Sequence, residues 1–277
     1  MKLCVTSKIA RALPFYEAVR LAKEIGYEEF DFGFSYQMLI KDGWEAEIKS
    51  SIETMRDAGM RVKYAHLPYD YPGNESEWPA FFTATQRAVD AAVLMGAECA
   101  AIHPRCSMRE DYDEDVEYAN ALEFLKPYCE YAHKKGLPLG IENMRGKGAS
   151  APARIRRFAM RTDEVISLAK ELDEGVCWDT GHGNISLQNE YKSIKKIGSL
   201  LREVHINDNF AEDDIHIAPF LGKVDWMGVL KGLKEVGYKG SLNMEVTCGK
   251  LPANLIEPYA KYMAASGKEL IRLFEDI

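Results

Sequence analysis

Short apolar runs alternate with stretches of helical periodicity along the whole chain, and six of the runs end on a side chain that can bind a metal. Tyr64-Ala65-His66, Ala101-Ile102-His103, Leu139-Gly140-Ile141-Glu142, Val176-Cys177-Trp178-Asp179, Glu203-Val204-His205 and Leu242-Asn243-Met244-Glu245 share this ending. One junction recurs between them: an amphipathic pattern, a glycine, a few residues and then an apolar run, as at Gly26, Gly59, Gly96, Gly136 and Gly237. A glycine just past a helix takes the left-handed conformation that ends it. The first four of these glycines stand 33, 37 and 40 residues apart, a period that fits βα units better than a helical solenoid because each repeat contains a β-type run.

The pattern predicts strands over residues 2–6, 29–33, 61–66, 99–103, 138–142, 175–179, 201–206 and 241–246. Eight strands alternating with helices predict an α/β fold, a (β/α)8 TIM barrel forming a single domain over residues 1–277. A doubly wound open sheet would need a glycine-rich turn after the first strand, and Thr6-Ser7-Lys8-Ile9-Ala10 has none. The longest irregular stretches, residues 67–77, 145–153 and 207–223, all follow strands, where a barrel of this kind builds its active site.

Composition narrows the functional classes. A net charge of -8 argues against a nucleic acid partner, since general DNA affinity comes from lysine and arginine neutralising phosphates. No run of about 18 apolar residues predicts a membrane span. The opening Met1-Lys2-Leu3-Cys4-Val5-Thr6 meets Lys8 and Arg11 too soon for a secretory signal, so a cytoplasmic location is expected. Six scattered cysteines without a C-x-x-C pair read as reduced, packed thiols.

Glu142, Asp179, His205 and Glu245 end the predicted fifth to eighth strands, which are neighbours around a closed barrel. Two glutamates, an aspartate and an imidazole make a mixed oxygen and nitrogen set suited to Mn²⁺, Mg²⁺, Co²⁺ or Zn²⁺. Of the six histidines, His66, His103, His182, His205 and His216 fall on strand ends or just beyond, whereas His133 reads as a solvated helix-face residue. Asp179 and His182 are three apart, so a tight turn would aim both inward. Asp214 and His216 are two apart, a spacing that projects both to one side of an extended loop. Arg105, Arg145, Lys147, Arg154, Arg156 and Arg157 cluster near the fourth and fifth strand ends, and one or two of them at the mouth would suit an anionic group. Tyr69, Tyr71 and Trp78 read either as a stacking wall for a sugar or as rim packing, and Asp225 reads as a helix N-cap.

These segments resemble the xylose isomerase-like TIM barrel superfamily: Ile141-Glu142-Asn143-Met144, Cys177-Trp178-Asp179-Thr180-Gly181-His182, Val204-His205-Ile206-Asn207-Asp208-Asn209, Asp214-Ile215-His216 and Gly222-Lys223-Val224-Asp225-Trp226. That superfamily holds sugar and sugar phosphate isomerases and epimerases, and also endonuclease IV. Its epimerase branch implies one divalent metal on Glu142, Asp179, His205 and Glu245, with Glu142 and Glu245 as the catalytic acid and base. His182 would hold a hydroxyl of a small carbohydrate substrate that reacts through an enediolate, and Arg145 of the basic cluster is the further candidate for binding it.

The endonuclease IV branch implies three zinc ions. His66, His103 and Glu142 would hold the first, Glu142, Asp179, His205 and Glu245 the second, and His182, Asp214 and His216 the third. This chain departs from the nuclease pattern at Ile215, where an arginine is expected, and at Ile217, where a glutamate usually follows. Barrels of the superfamily often associate, so a homo-oligomer is an open expectation.

Overall fold

β-Branched and aromatic residues such as Val62, Tyr64, Ile102, Ile141, Val176 and Val204 favour pleated backbone, and each run that carries them forms a strand. In a computed structural model, which describes the chain apart from Arg11, Ala12 and Ala153 and the side chains of Lys8 and Ala10, the strands are β1 (Leu3–Thr6), β2 (Glu29–Gly33), β3 (Arg61–His66), β4 (Cys99–Ile102), β5 (Leu139–Glu142), β6 (Gly175–Asp179), β7 (Leu201–Ile206) and β8 (Leu242–Met244). They pair in sequence order, all in parallel, and β8 returns to β1 to close the barrel. The predicted (β/α)8 architecture is therefore the observed one. The last residue of the predicted 145–153 loop lies outside the described residues.

The connecting helices are α1 (Phe15–Glu24), α2 (Tyr36–Leu39), α3 (Trp44–Asp57), α4 (Trp78–Met95), α5 (Glu114–Lys135), α6 (Thr162–Glu171), α7 (Thr180–Ile185), α8 (Glu190–Ile197), α9 (Trp226–Glu235) and α10 (Ala253–Asp276). Gly96 and Gly136 end α4 and α5 at φ of 80° and 72°, as the glycine junctions predict. The carboxylate of Asp225 caps α9 by accepting from Gly228 N at 3.0 Å. Among the described helices, none is long and apolar enough to cross a membrane.

Strand alternation divides the core. Outward residues such as Phe30 and Phe32 meet Phe15 of α1 edge-on and join the large apolar shell between strands and helices. Inside the barrel, only Cys4, Tyr64 and Cys99 form a separate apolar cluster among the described residues. The rest of the interior is unusually polar for a fold whose inner layers are normally branched aliphatics: Asn243 donates to both Asp31 and Glu203, and Glu29 accepts from Ser241 and Arg61. All five thiols at Cys4, Cys99, Cys129, Cys177 and Cys248 are buried, Cys106 is partly so, and none is in a disulfide.

Candidate metal centre at the barrel mouth

Parallel strands in register carry their last inward residues to one level. The register pairs Glu142 with Cys177, Asp179 with His205 and Gly33 with His66. β4 stops one residue and β8 two residues earlier than the pattern predicts, so His103 and Glu245 stand just past their strands, although Glu245 N still donates to Ile206 O at 3.1 Å. The end-strand donors thus converge at the C-terminal mouth. Glu142, Asp179, His205 and Glu245 each offer an atom to one group spanning no more than 4.8 Å. His66, His103 and Glu142 form a second such group, and His182, Asp214 and His216 a third.

Glu142 is the shared member. Its Oε2 lies 3.1 Å from His103 Nε2, 3.2 Å from His66 Nε2 and 3.4 Å from His205 Nδ1, while Oε1 lies 3.2 Å from His182 Nδ1. Glu245 Oε2 is 3.3 Å from His205 Nδ1. In the outer group, Asp214 Oδ1 is 3.1 Å from His216 Nε2 and Asp214 Oδ2 is 3.5 Å from His182 Nε2. The loop that brings Asp214 and His216 together is not regularly extended as their spacing predicts. His216 has a φ of 45°, a left-handed conformation in which the alternation of an extended chain no longer holds.

Backbone carbonyls set three of the rings. Nδ1 of His66 donates to Leu67 O, that of His182 to Asn143 O and that of His216 to Glu245 O, each at 2.8 Å. With that proton placed, Nε2 keeps its lone pair, toward Glu142 in His66 and toward Asp214 in His182 and His216, the orientation that prepares a histidine to ligate. Asp179 is held just as firmly. Asn143 clamps its backbone, accepting from Asp179 N at 2.6 Å and donating to its carbonyl at 3.0 Å. His182 N donates to Asp179 Oδ1 at 2.6 Å, and Asn207 Nδ2 donates to Oδ2 at 2.7 Å. Gly181 makes this possible, because a Cβ there would sit 1.9 Å from Asn207 Oδ1.

The electrostatics follow from crowding charges in a buried site. Burial opposes ionisation of Glu142, yet His103 and His205 beside it outweigh burial and hold its carboxyl well below the usual range. Asp179 is pushed up to about 6 by burial, against the pull of His182. Burial alone would keep His182 and His205 neutral, but Asp179 beside His182, and Cys177, Glu245 and Glu142 beside His205, raise them. His103 goes the other way, down to about 4, because burial wins.

A divalent cation fits this donor set. Both ring nitrogens of His205 and Oδ1 of Asp214 are buried without a hydrogen bond, and such groups are normally satisfied unless a ligand completes them. Beside the donors, a cavity of about 510 Å³ opens between Thr6, Asp31, Ser35, His66, Tyr69 and Glu245. A cleft of about 580 Å³ at the opposite end of the barrel, near Lys23, Met55 and Met95, has no histidine in its wall.

The basic cluster is mostly engaged elsewhere. Arg154 pairs with Glu110, Arg156 with Glu164, Arg105 lies over the Trp78 ring, and Arg157 donates to Cys106 O. Arg145 reaches the site, with Nε 3.4 Å from Asp214 Oδ2, and Lys147 lines the adjoining cleft. Tyr69 stacks on His103 with ring centroids 4.8 Å apart, whereas Tyr71 and Trp78 pack on Phe81 and Phe124 at the rim. His133 is not simply solvated as its sequence context predicts: its Nε2 lies 3.0 Å from the buried Glu174 Oε1.

Asn143, Asn207, Glu203, Asn243 and Asp31 support the site and have no place in the sequence-based ligand set. Glu203, Asn243 and Asp31 each lie two residues before a strand-end position, and a period of two from each metal donor back into its strand is the signal that finds the first two.

The family profile of the xylose isomerase-like TIM barrel matches residues 19–268. The uncharacterized protein MJ1311 of Methanocaldococcus jannaschii is 25% identical over 220 residues, covering 76% of this chain and 68% of that protein. Among solved structures, a xylose isomerase domain protein from Alicyclobacillus acidocaldarius superposes with a TM-score of 0.79 at 18% identity, covering 99% of both chains. A D-tagatose 3-epimerase-like protein gives 0.77 at 20% identity, covering 100% of this chain and 97% of that one. At these identities the superpositions speak to the fold, and the profile match to descent: the chain belongs to the xylose isomerase-like TIM barrel family.

Proposed function

We propose that this chain is a cytosolic, divalent-metal-dependent isomerase or epimerase of a small sugar, polyol-derived ketone or sugar phosphate. The observation that carries the reading is the approach of two carboxylates from different strands to one nitrogen: Glu142 Oε2 and Glu245 Oε2 lie 3.4 and 3.3 Å from His205 Nδ1. The likeness in fold to a D-tagatose 3-epimerase-like protein supports it. Two carboxylates flanking one position suit a reaction in which a carbon-bound proton leaves from one face and returns from the other. Glu142 and Glu245 would take these roles, passing through an enediolate of the substrate. His182, buried against Glu142 and Asp214, would hold a substrate hydroxyl, and Arg145 an outer oxygen. A divalent metal on Glu142, Asp179, His205 and Glu245 would supply Lewis-acid polarisation of the substrate's oxygens.

The test is exchange in D₂O with metal-replete protein and a panel of free ketoses and ketose phosphates. Deuterium at the carbon beside the carbonyl, with appearance of the epimer or isomer, is expected. Absence of exchange across both halves of the panel would overturn the reading. The panel also separates free from phosphorylated substrates.

One observation favours a second reading. The groups His66–His103–Glu142 and His182–Asp214–His216 flank the inner four and complete a nine-residue set. Three zinc ions there would supply charge neutralisation for phosphodiester hydrolysis. The net charge of -8 weighs against a DNA substrate. Incision of abasic-site DNA by the zinc-loaded protein, abolished by His216→Ala, would decide for it.

A further inference from the structure

His205 differs from the other histidines of the site. Nδ1 of His66, His182 and His216 donates to a backbone carbonyl, but the His205 ring is wholly buried and neither of its nitrogens has a hydrogen bond. Its Nδ1 faces the metal-site carboxylates of Glu142 and Glu245. Its Nε2 faces down the barrel toward Glu203 Oε1 at 3.4 Å. Glu203 lies two residues earlier on β7, so strand alternation puts both side chains inside.

Glu203 is itself fixed from the far side. The amide nitrogen of Asn243 donates to Glu203 Oε1 at 2.7 Å and to Asp31 Oδ2 at 2.9 Å. The two N–H donors of this amide thus serve one carboxyl oxygen on each side. The chain Asp31–Asn243–Glu203–His205 thus runs from β2 across β8 and β7 to the floor of the metal site. The His66 ring stacks on the imidazole, Asp179 Oδ2 lies 4.0 Å from its Nδ1, and the Cys177 thiol beside it is a weak acceptor by comparison.

We propose that Glu203 is the positioning residue for His205: it accepts the Nε2 proton and thereby leaves the Nδ1 lone pair for the metal. The 3.4 Å separation is longer than the 2.7–3.2 Å of an ordinary N–H···O bond. Tightening of that contact gives His205 Nε2 the partner it lacks. A carboxylate on the distal nitrogen of a ligating histidine fixes its orientation and raises its basicity, and its loss typically costs 10–100-fold in metal affinity. The inference rests on metal binding by the inner four residues but not on the sugar chemistry.

Two measurements test it, and neither uses turnover. In zinc-loaded protein labelled with ¹⁵N at histidine, long-range ¹H–¹⁵N correlation should show His205 bound to zinc through Nδ1 and protonated at Nε2. Ligation through Nε2, or no zinc binding by the wild-type chain, overturns the proposal. In chelator competition, Glu203→Met should weaken zinc affinity about 10–100-fold. Glu203→Gln, which keeps an acceptor oxygen toward both Asn243 and His205, should recover most of that loss, and Cys177→Ala should change it little. Wild-type affinity in Glu203→Met, or an equal loss in Cys177→Ala, counts against it. Should Glu203→Met fail to fold, the wild-type spectrum still decides. A chain that ligates zinc through Nδ1 but exchanges no sugar proton would uphold this inference while overturning the proposed activity.

Discussion

The imidazole of His103 stands 3.1 Å from Glu142, on the same carboxylate oxygen that His66 approaches to 3.2 Å. A carboxylate oxygen shared in this way can serve either as a hydrogen-bond hub around one metal or as a bridge between two, and the chemistry of the site turns on which it does. Metal stoichiometry separates the two. Under the isomerase reading, His103→Ala and His216→Ala each retain one equivalent of Mn²⁺ after dialysis, whereas Asp179→Asn loses it. Elemental analysis showing three zincs in the wild type, with fewer in His103→Ala and His216→Ala, would favour the hydrolytic reading.

Glu245→Gln keeps an oxygen near His205 but removes a base. At saturating metal, exchange of the substrate's carbon-bound proton with solvent should fall by about 10²–10⁴, the usual contribution of a positioned general base. NMR at matched metal occupancy measures it, and an unchanged exchange rate would remove Glu245 from the acid–base pair.

Asn143→Ala removes both hydrogen bonds that clamp the Asp179 backbone in a fully buried setting. Leaving a buried N–H and C=O without partners should cost about 2–4 kcal/mol of stability. Denaturant unfolding of the metal-free protein would show it as a lower midpoint at constant slope. A midpoint equal to the wild type would mean that water or a shifted strand replaces the clamp.

Gly181→Ala tests the close packing of the same turn, since its Cβ would fall 1.9 Å from Asn207 Oδ1. Asn207 must then move off Asp179 Oδ2, so this variant should lose metal affinity as well as stability. Calorimetric metal titration that matches the wild type would refute the argument.

Glu190 gives a pH dependence at a buried carboxyl that is not itself a proposed metal donor. Burial pushes its carboxyl from 4.5 up to about 8, although Trp178 Nε1 donates to it at 2.7 Å. Between those two values the folded chain holds the proton and the unfolded chain does not. This group's contribution therefore falls as pH rises from 4.5 and is fully lost above pH 8. Glu190→Gln still accepts from Trp178 and should be the more stable chain at high pH, by up to ~4 kcal/mol, with the difference vanishing near pH 4. Unfolding curves of both proteins across that range are the check, and parallel pH profiles would exclude the effect.

Much of this was legible in residue order. The eight strands fall within a few residues of the alternating apolar pattern, because a two-residue period and a glycine-terminated helix are local properties. Local patterns are weakest at strand ends, and there β8 stops at Met244 rather than continuing to residue 246. The extended geometry expected for Asp214 and His216 failed for a related reason: their meeting is imposed by a left-handed turn at His216 and by the bond from His216 Nδ1 to Glu245 O, 29 residues away.

The amino-acid sequence by itself determined the barrel and the kinds of donor at its mouth, since strand periodicity and the residue ending each strand are written in adjacent positions. Only the tertiary structure decided that Glu142 joins two donor groups, that Asn143 holds Asp179, that most of the arginines are spent on other partners, and that Asn243 ties Glu203 to Asp31. Each of those facts depends on barrel closure and on the register of one strand against the next, which brings Asn243 to Asp31 across 212 residues of chain. Hydrogen bonds of that span are fixed when the sheet closes, and no local pattern encodes them.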